Sequence, residues 1–200
     1  MTRLHDQIAF IVEIDKLKGV LRENPTANGE RRENTAEHSW QLAMAAMVLA
    51  EHANEPVDVA MVVRMLLVHD LVEIDAGDTF VYLTMDAAGR EEQNQREMVA
   101  AERIFGLLPP DQGAEMRATW DEFEAAQTAE ARFAKAVDRL APMLLNRASG
   151  GGSWKRHSID PAQTHRLVDA QMTAGSAALT SYAHELIDKS VADGLYAVDK

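Results

Sequence analysis

Cysteine is absent from this 200-residue chain, and that single gap excludes disulfides, thiolate zinc sites and cysteine nucleophiles together. A bound metal would have to be held by His, Asp and Glu. Long apolar runs are missing too. No segment approaches the roughly 18 to 20 uninterrupted apolar residues of a membrane span, and the opening residues MTRLHDQIAF lack the apolar stretch of a secretory signal. The expectation is a cytoplasmic protein with no membrane partner. Positive charge is also scarce: 20 Lys and Arg stand against 32 Asp and Glu, a net charge of −12. A polyphosphate backbone is held mainly by clustered Lys and Arg, which argues against nucleic acid as a partner. A small anionic substrate stays open wherever positive charge is local.

What is present reads as one folded unit. Hydrophobic residues make up 46% of the chain and charged residues 26%, the proportions of a soluble globular protein with a substantial core. With no internal repeat, no low-complexity linker and no convincing strand, residues 1–200 read as a single all-α domain.

Leu4, Ile8, Ile11, Ile14 and Leu17 recur at three- and four-residue spacing and predict a first helix with a buried stripe. Asn24-Pro25 and Asn28-Gly29 break the chain into a loop. Asn34 with Glu37 three residues on forms a capping-box pattern, opening a second helix to about Ala53 with His38 near its first turn. Pro56 and Asp58 start a third, nearly all buried, that ends at the turn Ala76-Gly77-Asp78. Further helices are predicted from about Ala87 to Phe105, from about Asp111 to Ala126, and from Thr128 through Leu144, where Pro142 should introduce a kink. Gly150-Gly151-Gly152 marks a flexible loop, and one or two helices fill residues 161–193 before Gly194. Met44, Met47 and Met65 sit at core-like positions and read as packing. Trp154, in GGGSWKRH, reads as a loop anchor in preference to a base-stacking platform.

Four polar residues interrupt apolar helix faces: His38, His69, Asp70 and Asp138. Unpaired burial of each would be costly, and a shared cation would offset all four costs. Metal sites in helical bundles are built from such inward side chains on facing helices. Each residue also has a plainer reading. His38 could be a satisfied polar residue, Asp70 a hydrogen-bonding neighbour of His69, and Asp138 a buried acid paired with Arg139 or Lys135. Four protein ligands on an ion that prefers six would leave room for water and a phosphate oxygen, so that the ion could polarise phosphorus and acidify water.

The order His38, His69-Asp70, Asp138, with HDLVEIDAGD and the preceding ENTAEHS, resembles the HD-domain metal-dependent phosphohydrolases, in the branch that contains the 5′-deoxynucleotidases. The resemblance runs from about Leu17 to about Arg147 and takes in LLPPDQGAEMRATWDEFE and AEARFAKAVDRL. It implies an all-α HD-domain helical bundle with a single buried metal site ligated by His38, His69, Asp70 and Asp138. It also implies Glu73 and Asp78 as catalytic carboxylates, Arg22 as the arginine that holds the substrate phosphate, and a homodimer. Glu23 stands where the family has an aromatic residue, and the loop from Asn24 to Arg32 differs, which bears on nucleoside selectivity.

Two imidazoles and two carboxylates without thiolate suit one divalent transition ion, among Mn, Co, Fe, Ni and Zn, better than Mg. Lys18, Arg22, Arg31 and Arg32 could supply local positive charge for a nucleotide, although Arg31 and Arg32 read equally well as solvated loop residues. Asp75 lies in the same acidic stretch. The favoured activity is a 5′-nucleotidase releasing phosphate from deoxyribonucleoside 5′-monophosphates. A di-iron oxygenase would need more histidines, yet none lies between His69 and His157. An alarmone or other nucleotide pyrophosphohydrolase is the enzymatic alternative, although the alarmone motif has an acid where Ile74 follows Glu73. A metal-stabilised helical interaction module is the non-enzymatic one.

Overall fold

Helix α7 (Ala129–Ala148) is the axis on which the rest of the chain is hung. In this computed structural model, which describes residues 2–83 and 87–197, Thr128 caps α7 by accepting from the Ala131 amide, and the apolar positions Phe133, Val137, Leu140 and Ala141 are buried. The helix packs against α2 (Thr35–Leu49), α3 (Val59–Val68), α6 (Pro110–Ala125), α9 (Pro161–Met172) and α10 (Ala177–Ala192). Pro142 lies inside α7 without ending it. Proline has no amide hydrogen, so the Asp138 carbonyl four residues earlier loses its helical donor.

The remaining elements are α1 (Arg3–Ile14), α4 (Glu73–Ala76), α5 (Ala87–Phe105) and the short α8 (Gly152–Arg156). Two apolar clusters result. The larger gathers Leu42, Val62, Met65, Leu66, Phe133, Val137, Trp154 and Ile187 around α7. The smaller gathers Phe10, Leu17, Val68, Leu71, Ile104, Phe105 and Trp120 under α1, α5 and α6. Residues 65–72 run from one cluster into the other, and the site lies along that passage.

Four expectations need correction. The chain is not free of strands: β1 (Leu21–Pro25) and β2 (Arg32–Asn34) form an antiparallel hairpin pairing Leu21 with Asn34 and Pro25 with Arg32, with an irregularity between. Strands of five and three residues with mostly polar side chains give no period-two signal. The third helix is not continuous. It tightens into a 3₁₀ turn at His69–Val72, resumes as α4 and stops at Gly77, whose φ of 75° is a conformation glycine adopts without penalty. The stripe of α1 is not buried: Leu4, Ile8 and Ile11 are 55–65% exposed, and Phe10 and Leu17 make the inward contacts. Met44 and Met47 are exposed as well, whereas Met65 is fully buried. Trp154 is an anchor as expected, buried and stacked on Tyr196 with ring centroids 4.4 Å apart. No helix among the described residues is long and apolar enough to cross a membrane.

Candidate active site

The start of α2 sets the first site residue. Asn34 accepts from the Glu37 amide at 3.0 Å while Glu37 accepts from the Asn34 amide at 3.3 Å, the reciprocal capping box read from the sequence. That start turns His38 wholly into the protein, where its Nε2 lies 3.0 Å from Asp138 Oδ1 on α7. Its other nitrogen, Nδ1, faces Glu33 Oε2 of β2 at 3.4 Å.

His69 sits where α3 tightens. Its Nδ1 donates to the Leu66 carbonyl at 3.0 Å, and a carbonyl can only accept, so the lone pair of the neutral ring belongs to Nε2. That atom is buried and has no hydrogen-bonding partner among the described residues. It lies 3.0 Å from Asp70 Oδ1 and 3.8 Å from Asp138 Oδ1. Consecutive side chains diverge by about 100° in an α-helix and about 120° in a 3₁₀ turn, yet the Asp70 side chain still brings Oδ1 to 3.0 Å from His69 Nε2. Donor atoms of His38, His69 and Asp138 all lie within 4.8 Å of one another. Two imidazole nitrogens and a carboxylate oxygen facing one point, with a buried lone pair left unused and Asp70 3.0 Å from His69, fit a divalent transition ion.

Around this centre stand three more charged groups. Arg22 of β1 brings Nη1 to 2.9 Å from Asp70 Oδ2, 3.5 Å from Glu73 Oε1 and 3.4 Å from Asp78 Oδ1. Thr35 donates to Glu73 Oε2 at 2.8 Å. Burial, joined by the nearby Asp70 charge, holds the Glu73 carboxyl well above the usual carboxylate range despite Arg22. Burial raises Asp78 too, with Arg22 pulling the other way. Burial opposes ionisation of Asp70, yet His69 and Arg22 bring it down to about 2. Asp138 is likewise held well below its ordinary value, burial being outweighed by the hydrogen bond with His38 and the nearby His69 and Arg139. Burial disfavours a charged His69, but Asp70 and Asp138 prevail and raise it to about 10.

The centre opens into a cavity of about 490 Å³ lined by Arg22, His69, Asp70, Glu73, Asp78 and Asp138, with Phe80, Tyr82, Trp154 and Arg139 among its further walls. Of the expected residues, two are not brought there. Lys18 pairs with Asp15 and lines a separate depression with Trp40. Arg32 donates to the Leu21 and Arg22 carbonyls and to Glu23. Arg31 pairs with Glu37, and Asp75 with Arg103. Glu33, Thr35 and Arg139 were not singled out from sequence as functional. Glu33 and Thr35 lie within the ENTAEHS stretch, at a strand–helix junction that gives no periodic signal.

A family model described as the HD domain matches residues 14–180. The protein named 5′-deoxynucleotidase HDDC2 from Homo sapiens is 31% identical over 139 residues, covering 67% of this chain and 65% of that one. Its namesake from Dictyostelium discoideum is 29% identical, covering 70% of this chain and 76% of that one. The match thus spans 65% of the human and bovine relatives' length. A crystal structure of a protein from Magnetospirillum magnetotacticum MS-1, described as a predicted metal-dependent phosphohydrolase, superposes with a TM-score of 0.89 at 49% identity, covering 98% of this chain and 99% of that one.

Proposed function

The chain belongs to the HD domain family, and from that premise we propose that it is a metal-dependent phosphohydrolase, a 5′-nucleotidase releasing phosphate from deoxyribonucleoside 5′-monophosphates. The observation that carries this reading is the convergence of His38, His69 and Asp138 on one point, with Asp70 3.0 Å from His69, at the end of a cavity with two elevated carboxyls in its wall. The names of the relatives from Homo sapiens and Magnetospirillum magnetotacticum MS-1 support the same class.

In this reading His38, His69, Asp70 and Asp138 hold one divalent transition ion, which when bound supplies Lewis acidity toward a phosphoryl oxygen and toward water. Glu73 and Asp78 share the proton transfers: one takes the proton from attacking water and the other gives one to the leaving 5′-alkoxide. Carboxyls raised by burial are suited to that exchange near neutral pH. Thr35 fixes Glu73 by its hydrogen bond. Arg22 keeps Asp70, Glu73 and Asp78 together through Nη1, and its remaining donors are directed to the phosphate; its Nε has no partner among the described residues. Lys18 and Arg32 do not line the cavity and are paired with Asp15 and Glu23. Residues 1–200 act as one HD domain, cytoplasmic and homodimeric, with the exposed apolar residues of α1 and α2 as the contact surface.

The test is a phosphate-release screen over deoxyribo- and ribonucleoside 5′-monophosphates, with Mn²⁺, Co²⁺, Fe²⁺, Ni²⁺, Zn²⁺ and Mg²⁺. Release from the deoxyribonucleotides, stimulated by a transition ion and abolished by a chelator, is expected. Pyrophosphate release from a nucleoside polyphosphate would favour the alarmone-type alternative, and no release with any ion would sink both.

A further inference from the structure

We propose that Arg139, the residue after Asp138 on α7, is a second guanidinium for the substrate's phosphate. The inference rests on the phosphohydrolase reading. Arg139 lines the cavity, its side chain is only 20% exposed, and its Nε is buried without a partner among the described residues. The nearest carboxylate oxygen recorded for it is Asp138 Oδ2, 3.9 Å from Nη2, too far for a hydrogen bond.

Structural arginines elsewhere in this protein look different. Arg147 donates to Ser190 at 3.0 Å and to Asp193 at 2.8 Å, and Arg103 binds both Asp75 and Glu13. A guanidinium that is mostly buried, with its Nε unpartnered among the described residues, bears a desolvation cost that an anionic ligand would remove. Lys135 cannot substitute, since its ammonium is held by Glu124 at 3.2 Å and lies 4.1 Å from the Phe123 ring centroid.

Charge and position select phosphate as the partner. Arg22 Nη1 is already shared among three carboxyl groups, so a second guanidinium would add to the charge that the ion and the rest of Arg22 offer a phosphomonoester dianion. Arg139 Nη2 lies 3.9 Å from Asp138 Oδ2, and both residues line the cavity that Glu73 and Asp78 also line. Its planar fork matches two phosphate oxygens, which an ammonium cannot do.

The experiment compares the metal-loaded full chain with Arg139→Met and Arg139→Lys. It measures inhibition by inorganic phosphate together with KM and kcat on purine and pyrimidine deoxyribonucleotides. Arg139→Met should weaken inorganic phosphate by roughly tenfold or more and raise every KM by a similar factor whatever the base, with bound metal unchanged. Arg139→Lys should recover only part of the loss. Wild-type affinity for inorganic phosphate in Arg139→Met would overturn the proposal, as would a KM loss confined to one base. A wild-type protein that hydrolyses no phosphomonoester would instead overturn the phosphohydrolase reading, and this inference with it.

Discussion

Glu33 Oε2 lies 3.4 Å from His38 Nδ1, and among the described residues neither atom has a hydrogen-bonding partner. Both side chains are buried, so the carboxylate has no solvent to turn to and faces the imidazole edge opposite the one directed at Asp138. A carboxylate behind a ligating histidine holds a proton on the far nitrogen and leaves the near one free for the ion. Removing such a partner costs about 10- to 100-fold in metal affinity. Glu33→Gln should show that loss in a chelator competition while keeping its fold. Unchanged affinity would reject the orienting role.

Ligation and proton transfer separate by mutation. Asp138→Ala should lose bound metal by elemental analysis, because its Oδ1 faces both imidazoles, 3.0 Å from His38 Nε2 and 3.8 Å from His69 Nε2. Glu73→Ala should retain the ion and lower kcat by about 10²- to 10⁴-fold, the range of general acid–base contributions. Near-normal turnover in Glu73→Ala would refute its catalytic role.

The pH dependence of the metal-free protein follows from His69. Its folded pKa, about 10, exceeds its ordinary 6.5, so its protonation stabilises the fold fully below about pH 6.5, and that contribution disappears as pH rises through about 10. Glu73 and Asp78, raised by burial, act in the same direction by favouring protonated carboxyls. The Tm of the metal-free protein should therefore fall from pH 6.5 to 10. Mn²⁺ should reduce that fall and release protons on binding, read from the buffer dependence of the calorimetric enthalpy. A flat Tm with no proton release at pH 8 would contradict the arrangement.

Local signals made much of this legible in advance. Asn34 with Glu37, Asp58 and Thr128 all cap helices where their side chains forecast it, which fixed the turn carrying His38 and the stripe carrying Asp138. What sequence could not supply was the identity of each neighbour. Arg139 reads equally well as the partner of Asp138 until the 3.9 Å gap is seen. The adjacency of His69 and Asp70 gives no sign of their 3.0 Å approach, because consecutive helical side chains diverge. The α1 stripe was correctly periodic, but periodicity does not say what covers it.

That stripe sets the last prediction. Leu4, Ile8 and Ile11 share one face of α1, while Trp40, Met44 and Met47 recur at the same four- and three-residue spacing on α2, and all six are exposed. Contiguous apolar area beyond a few hundred Å² is uncommon on a monomer and marks a contact surface, and a twofold homodimer would cover each face twice with one operation. Ile8→Glu and Trp40→Glu should each shift the protein from dimer to monomer in sedimentation equilibrium. Neither should change bound metal, since neither residue lines the cavity. In the monomer these positions face water, so the substitutions should alter its thermal stability little, within about 0.5 kcal/mol. A wild-type chain that stays monomeric at high concentration would remove the homodimer. A dimer untouched by both substitutions would move its interface to another face.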